Sequence, residues 1–118
     1  MKRKAYAYVR SHRRRWGLSQ RELALLVGLE TATAISRIEK SKRPPTAATV
    51  IACGIVFGLP PDELFPSLHE EIEQAVLASA TALREQLLGQ PDELSVRKCV
   101  LLDQILLRII TRNQPPPP

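Results

Sequence analysis

The sequence predicts an all-α protein in which five short helices are followed by a two-helix hairpin. Apolar residues recur at helical spacing along most of the chain, and residue pairs typical of helix starts precede several of these segments. Glycines and prolines separate the segments. At 118 residues, we expect one small domain over about residues 1–66, a helical hairpin over 67–113 and a disordered proline tail over 114–118.

The first helix is expected over residues 4–16, before Gly17. One face at near-helical spacing consists of Ala5, Val9, His12 and Trp16. We interpret His12 as a partly buried packing residue and not as a catalytic or metal-binding group.

The next two helices are predicted within residues 18–43. Ser19 and Glu22 have the spacing of a capping box at the first helix start, and Gly28 supplies the residue able to adopt positive φ at its end. Ile35 and Ile38 are expected to turn the second helix inward. A basic loop follows the second helix. Two short helices joined by a glycine-containing turn are typical of a helix-turn-helix, a DNA-binding motif.

Thr46 is a good N-cap for a fourth helix that ends near Phe57, and a short fifth helix is expected over residues 62–65. Gly54 in a helix costs up to about 1 kcal/mol relative to alanine. We expect close helix packing to offset this cost. The positions expected to face the core are Val50, Cys53, Gly54 and Phe57.

The C-terminal hairpin is expected to begin at a second capping box, Ser67 with Glu70, and its first helix to run to about Leu88. Its apolar positions are Leu68, Ile72, Val76, Ala80, Leu83 and Leu87. The last helix, about residues 92–111, is apolar around much of its circumference. Such a helix is usually buried on more than one side, so we expect a partner surface, and a homodimer through residues 67–112.

The charge is divided unevenly. Residues 1–46 contain twelve Lys/Arg and three Asp/Glu, a net +9, whereas residues 47–118 contain five and nine, a net −4. A basic half that includes a helix-turn-helix is typical of a nucleic-acid-binding protein. The acidic half is expected to face another protein.

Several function classes lack their sequence signals. Cys53, Cys99, His12 and His69 are scattered without zinc-ligand spacing, and no phosphate-binding glycine-rich loop is present. We therefore expect no enzyme activity, no metal and no cofactor, with both cysteines reduced. The sequence has neither an apolar run of about 18 residues nor a signal-peptide pattern, so the expected location is the cytoplasm.

The sequence over about residues 5–65 resembles the helix-turn-helix domains of Cro and the lambda-type phage repressors. The residues that carry this resemblance are Ser19-Gln20, Leu23-Ala24, Gly28, Ile35-Ser36-Arg37-Ile38-Glu39, Lys42-Arg43, Pro45, Gly58 and Asp62-Glu63-Leu64-Phe65. One departure is the stretch between Gly28 and Ile35, which is one residue longer than the commoner family pattern.

The resemblance implies that the second helix of the motif enters the major groove of duplex DNA. The candidates for contacts to base edges are Ala32, Thr33, Ser36 and Arg37. The candidates for phosphate contacts are Arg10, Arg13, Gln20, Thr31, Lys40, Lys42 and Arg43. Glu39 matches a structural acidic position in the family, where it is expected to pair with a nearby arginine.

The expected function is sequence-specific binding of duplex DNA by a homodimeric bacterial or phage transcription regulator, often a repressor in this family. Two alternatives remain open. An antitoxin that regulates its own operon would dock a toxin on the hairpin. A protein-interaction module could retain the fold without binding DNA, but its recognition helix would be expected to lack surrounding cations.

Overall fold

The computed structural model describes residues 5–114, with side chains described from Tyr8 onward. Within that range it is all-helical, which confirms the predicted fold class. The helices are α1 (Ala5–Arg15), α2 (Gln20–Val27), α3 (Ala32–Glu39), α4 (Ala47–Phe57), α5 (Pro61–Leu64), α6 (Pro66–Leu87) and α7 (Glu93–Arg112). The chain divides into two compact units, residues 1–70 and 71–118. The predicted packing of Ala5 and the proline run at 115–118 lie outside the described residues.

Local hydrogen bonds explain where the first helices begin. Ser19 Oγ accepts a bond from the Glu22 N–H at 3.0 Å, and Glu22 Oε1 accepts one from the Ser19 N–H at 2.8 Å, so the predicted capping box is present. Thr46 caps α4 as predicted, and its hydroxyl accepts a bond from the Thr49 N–H at 3.2 Å. These polar side chains satisfy N–H groups that have no partner inside the helix.

Residues 1–70 are built around one apolar cluster contributed by all five helices. Its buried members are Val9, Leu23, Ala24, Ile35, Ile38, Cys53, Leu64 and Phe65. His12 is half-buried, and its ring centroid lies 5.8 Å from that of Phe57, which confirms its predicted packing role. Trp16 was expected on the same face, but it is 70% exposed. The reason is that α1 ends at Arg15, and Gly17 turns the chain at φ 73°.

Gly54 lies against a close backbone neighbour, as expected, but the prediction that this neighbour would be another helix was wrong. A Cβ added at Gly54 would lie 2.9 Å from the carbonyl oxygen of Leu59. That oxygen belongs to the segment that follows α4, not to a second helix. A side chain at Gly54 would therefore collide with the chain where it returns against α4.

The predicted capping box at Ser67 is also wrong. The helix α6 begins at Pro66, and the His69 N–H donates to the Phe65 carbonyl oxygen at 2.9 Å. Ser67 therefore lies inside the first turn. Proline suits this position because its fixed φ matches the helix and its missing N–H would have no helical partner.

In the second unit, α7 returns antiparallel to α6. Two ion pairs join the helices: Arg112 Nη1 lies 2.7 Å from Glu73 Oε2, and Arg84 Nε lies 2.5 Å from Asp103 Oδ1. Asp92 caps α7 by accepting the Ser95 N–H at 3.0 Å. Several large apolar side chains of this unit remain exposed: Ile72, Val76, Leu83, Leu88, Leu94, Val96, Val100, Leu101, Leu107 and Ile110. No helix within residues 5–114 is both long and apolar enough to cross a bilayer.

Candidate nucleic-acid interface

The α3 helix has one face in the core and the opposite face in solvent. Ile35 and Ile38 are 1% and 4% exposed, as predicted. Thr33 and Arg37 are exposed and four residues apart, so they share one face of the helix, and the exposed Lys40 follows three residues later. This outer ridge, Thr33–Arg37–Lys40, is the part of α3 that can approach a ligand. Ala32 and Ser36 border it and are half-buried.

The turn before α3 ends at Thr31. Gly28 adopts φ 79°, and the Leu29 N–H donates to the Ala24 carbonyl oxygen at 2.8 Å, which closes α2. Thr31 Oγ1 then accepts the Ala34 N–H at 3.3 Å, so Thr31 is the N-cap of α3. The first turn of α3 therefore contains Ala32 and Thr33.

The end of α3 has a feature that sequence reasoning missed. The Lys42 N–H donates to the Arg37 carbonyl oxygen at 2.8 Å, and the Ser41 N–H donates to the Ile38 carbonyl oxygen at 3.1 Å. This is a Schellman motif, in which glycine usually occupies the left-handed position. Here Ser41 occupies it at φ 60°. The motif turns the chain sharply, so that the exposed Lys42 and Arg43 follow directly after the helix.

A buried carboxylate connects α3 to the two preceding helices. Glu39 accepts bonds from Arg13 Nε at 2.6 Å and Arg13 Nη2 at 3.0 Å, and from Gln20 Nε2 at 3.1 Å. Arg13 Nη1 also donates to the Leu18 carbonyl oxygen at 2.8 Å. The expected pairing of Glu39 with a nearby arginine is therefore present, with Arg13 as the partner. This network fixes the end of α3 relative to α1 and α2.

The same network changes the interpretation of Arg13. We expected Arg13 to contact phosphate, but the residue is 7% exposed and its guanidinium is directed at Glu39 and Leu18. The buried carboxylate requires this partner, so we reassign Arg13 to a positioning role. Arg10, one turn earlier on α1, is exposed. Gln20 is half-buried, and its amide nitrogen is directed at Glu39.

Five of the cations expected to contact DNA are exposed in this unit: Arg10 on α1, Arg37 on α3, and Lys40, Lys42 and Arg43 directly after α3. Exposed guanidinium and ammonium groups suit phosphate oxygens, and arginine also suits the O6 and N7 acceptors of guanine. Among the described residues, no group of three or more His, Cys, Asp or Glu side chains could hold a metal ion. That these cations contact DNA remains a prediction.

Residues 9–64, which extend from α1 to the last residue of α5, match a family model described as Helix-turn-helix. No curated protein and no solved structure matches the chain. The matched range includes the cluster core, the Arg13–Glu39 pair and the outer ridge of α3.

Proposed function

We propose that α3 recognises a specific duplex sequence. The match of residues 9–64 to the helix-turn-helix family supports a DNA-binding transcriptional regulator of the Cro and lambda-repressor type. The observation that supports this proposal is the outer ridge of α3. Its side chains are free of the core because Ile35 and Ile38 hold the opposite face. A helix with such a ridge fits the major groove, where each base pair presents a distinct pattern of donors and acceptors.

The proposed contacts divide into two groups. Arg37 binds guanine O6 and N7 in a bidentate fork, and a methyl group of Ala32 or Thr33 packs on a thymine methyl, with Ser36 beside them. The second group holds the backbone and sets the register of α3 without reading sequence. Its members are Arg10, Gln20, Thr31, Lys40, Lys42 and Arg43.

The proposal includes a homodimer of bacterial or phage origin that binds two half-sites and acts as a repressor in the cytoplasm of the bacterial cell. Two copies related by a two-fold axis would place their α3 helices in successive major grooves, about 34 Å apart or a multiple of that distance. The exposed apolar side chains of residues 71–114 support a protein contact in that unit. The same observation favours the second candidate, an antitoxin that docks a toxin there.

Selection of bound sequences from a random duplex pool tests the proposal. We expect the full-length protein to enrich one palindromic motif with half-sites one helical turn apart. The matched control is Arg37→Ala, which retains the fold but should lose the preference for one base pair in each half-site. Enrichment of no motif by the unmodified protein would contradict sequence-specific recognition.

A further inference from the structure

Trp16 is a large aromatic side chain that the core leaves in solvent. It is the single tryptophan of the sequence, and it is 70% exposed. The Gly17 N–H donates to the Arg14 carbonyl oxygen at 3.0 Å, and the Leu18 N–H donates to the Arg13 carbonyl oxygen at 3.0 Å. These backbone bonds close α1 without the indole. A tryptophan outside a core is typical of a contact surface, because its ring is apolar and its N–H is a donor.

The turn that contains Trp16 is held beside the end of α3. Arg13 Nη1 donates to the Leu18 carbonyl oxygen at 2.8 Å, and Arg13 Nε donates to Glu39 Oε2 at 2.6 Å. Leu18 is two residues after Trp16, and Glu39 is the last residue of α3. Lys40, one of the proposed phosphate contacts, follows Glu39 directly. Arg13 therefore connects the turn of Trp16 to the segment that is proposed to hold the DNA backbone.

The surroundings of Trp16 in the chain are cationic. Residues 10–21 contain five arginines and no acidic residue. Arg14 and Arg15, directly before Trp16, are exposed. The first acidic residue after Trp16 is Glu22, whose Oε1 accepts the Ser19 N–H at 2.8 Å in the capping box. Exposed cations beside an exposed aromatic ring suit an anionic polymer such as a nucleic acid.

We propose that Trp16 packs on the sugar-phosphate backbone of the DNA that α3 binds, with the indole face against deoxyribose and the Nε1–H donating to a phosphate oxygen. This inference rests on the proposed function, and it adds a residue of the α1–α2 turn to the group that holds the backbone. The contact carries no sequence information, because sugar and phosphate are the same at every base pair. The indole is uncharged, so the contact adds affinity without releasing counterions.

Acrylamide quenching of tryptophan fluorescence tests the contact in the unmodified full-length protein. Trp16 is the single tryptophan, so the whole tryptophan emission reports this position. Acrylamide is uncharged, so the charge of DNA does not by itself exclude it. We expect a saturating random duplex to lower the quenching constant of Trp16. The matched control is Trp16→Phe/Ile55→Trp, because Ile55 is 78% exposed and lies on α4, which contains none of the proposed DNA contacts. The quenching constant of this control should not change.

The affinity of Trp16→Ala for DNA tests what the contact contributes. We expect binding to the enriched motif and to random duplex to weaken alike, by about tenfold. The slope of log affinity against log salt should not change, because no phosphate loses a cation. The variant should unfold at the same urea concentration as the unmodified protein, because the side chain is exposed. Ile55→Ala is the control and should bind DNA as tightly as the unmodified protein.

Two results would overturn this inference and leave recognition by α3 intact. One is an unchanged quenching constant of Trp16 when duplex is bound, and the other is an equal affinity of Trp16→Ala and the unmodified protein for DNA. A loss confined to the enriched motif would overturn the assignment of Trp16 to the backbone. Failure of the unmodified protein to bind any duplex in a gel mobility assay would contradict the proposed function and this inference with it.

Discussion

Arg13 on α1 and Glu39 at the end of α3 form a two-point ion pair, with 2.6 Å between Nε and Oε2 and 3.0 Å between Nη2 and Oε1. Both side chains are almost completely buried, at 9% and 2% exposure. A carboxylate at the C-terminal end of a helix is disfavoured by the helix dipole, so Glu39 depends on the cation supplied by α1. The orientation of α3 therefore depends on a residue of α1, outside the helix-turn-helix.

We expect Arg13→Ala and Glu39→Ala each to lower the free energy of unfolding by about 3 to 5 kcal/mol, because each leaves a buried charge without its partner. The double variant Arg13→Met/Glu39→Leu should lose much less than the sum of the two. Urea denaturation measures all three. Arg10→Ala, an exposed arginine on the same helix, is the control and should remain within about 0.5 kcal/mol of the unmodified protein. Single losses below about 1 kcal/mol would contradict a structural role for the pair.

The affinity for DNA should depend steeply on salt. A dimer that neutralises about 6 to 10 phosphates loses about 10³ to 10⁵ in affinity between 50 and 200 mM salt. Arg10→Ala should reduce the slope of log affinity against log salt by about 1 for each phosphate that is no longer neutralised. The folded Arg13→Met/Glu39→Leu variant should retain the full slope. A reduced slope in that variant would return Arg13 to the group that binds phosphate.

The left-handed conformation of Ser41 should cost stability. We expect Ser41→Gly to maintain or raise the free energy of unfolding by up to about 1 kcal/mol, and Ser41→Val to lower it by about 1 to 2 kcal/mol. Gly28→Ala is the matched test at the end of α2, where φ is 79° and an added Cβ would have no atom within 4 Å. The stability lost in Gly28→Ala therefore reports the strain of the left-handed backbone alone. Equal stability of Ser41→Val and Ser41→Gly would contradict the left-handed turn.

The thiol of Cys53 should make folding sensitive to alkali. Burial raises the pKa of Cys53 from 9.0 to about 11. The stability that the protonated thiol contributes is complete below pH 9 and is lost as the pH rises to about 11, because the thiol ionises at a lower pH in the unfolded chain. The difference between the two pKa values corresponds to about 2 to 3 kcal/mol of unfolding free energy. Urea denaturation from pH 8 to 11 should therefore show a smaller fall for Cys53→Ala than for Cys99→Ala. If the unfolding free energies of the two variants fell in parallel between pH 8 and 11, ionisation of Cys53 would not be the cause of the fall.

The features that the sequence predicted well are local. The capping box at Ser19, the glycine turn at Gly28 and the inward face of Ile35 and Ile38 depend on residues within one or two helical turns of each other. The family model then supports the helix-turn-helix over residues 9–64. Local signals were therefore sufficient to identify the all-α class and the helix-turn-helix.

The features that the sequence did not predict depend on distant contacts or on competing local solutions. An arginine partner for Glu39 was expected, but its identity as Arg13 was not, because the two positions are 26 residues apart and charge alone does not distinguish Arg13 from the exposed Arg10. Trp16 falls at helical spacing, but the helix ends before it. Ser41 adopts a left-handed conformation that is usual for glycine, and a serine in the sequence does not predict it. Ser67 and Pro66 are both residues that suit a helix start, and α6 begins at Pro66.

Arg37 and Lys42 provide the direct test of recognition by α3. Arg37 belongs to the outer ridge, whereas Lys42 lies beyond the helix, where a flexible ammonium group suits phosphate and carries no base information. Each alanine variant can be compared with the unmodified protein on the selected operator, its single-base variants and random duplex.

The decisive measurement is the affinity of Arg37→Ala for these three kinds of duplex. We expect the loss of about 1 to 3 kcal/mol of discrimination at one base pair in each half-site, with little change on random DNA. Lys42→Ala is the control and should weaken binding to operator and random DNA equally, with a salt slope lower by about 1 for each phosphate that the lysine no longer neutralises. If Arg37→Ala instead lowers every affinity in parallel, Arg37 binds phosphate and α3 does not read sequence through it.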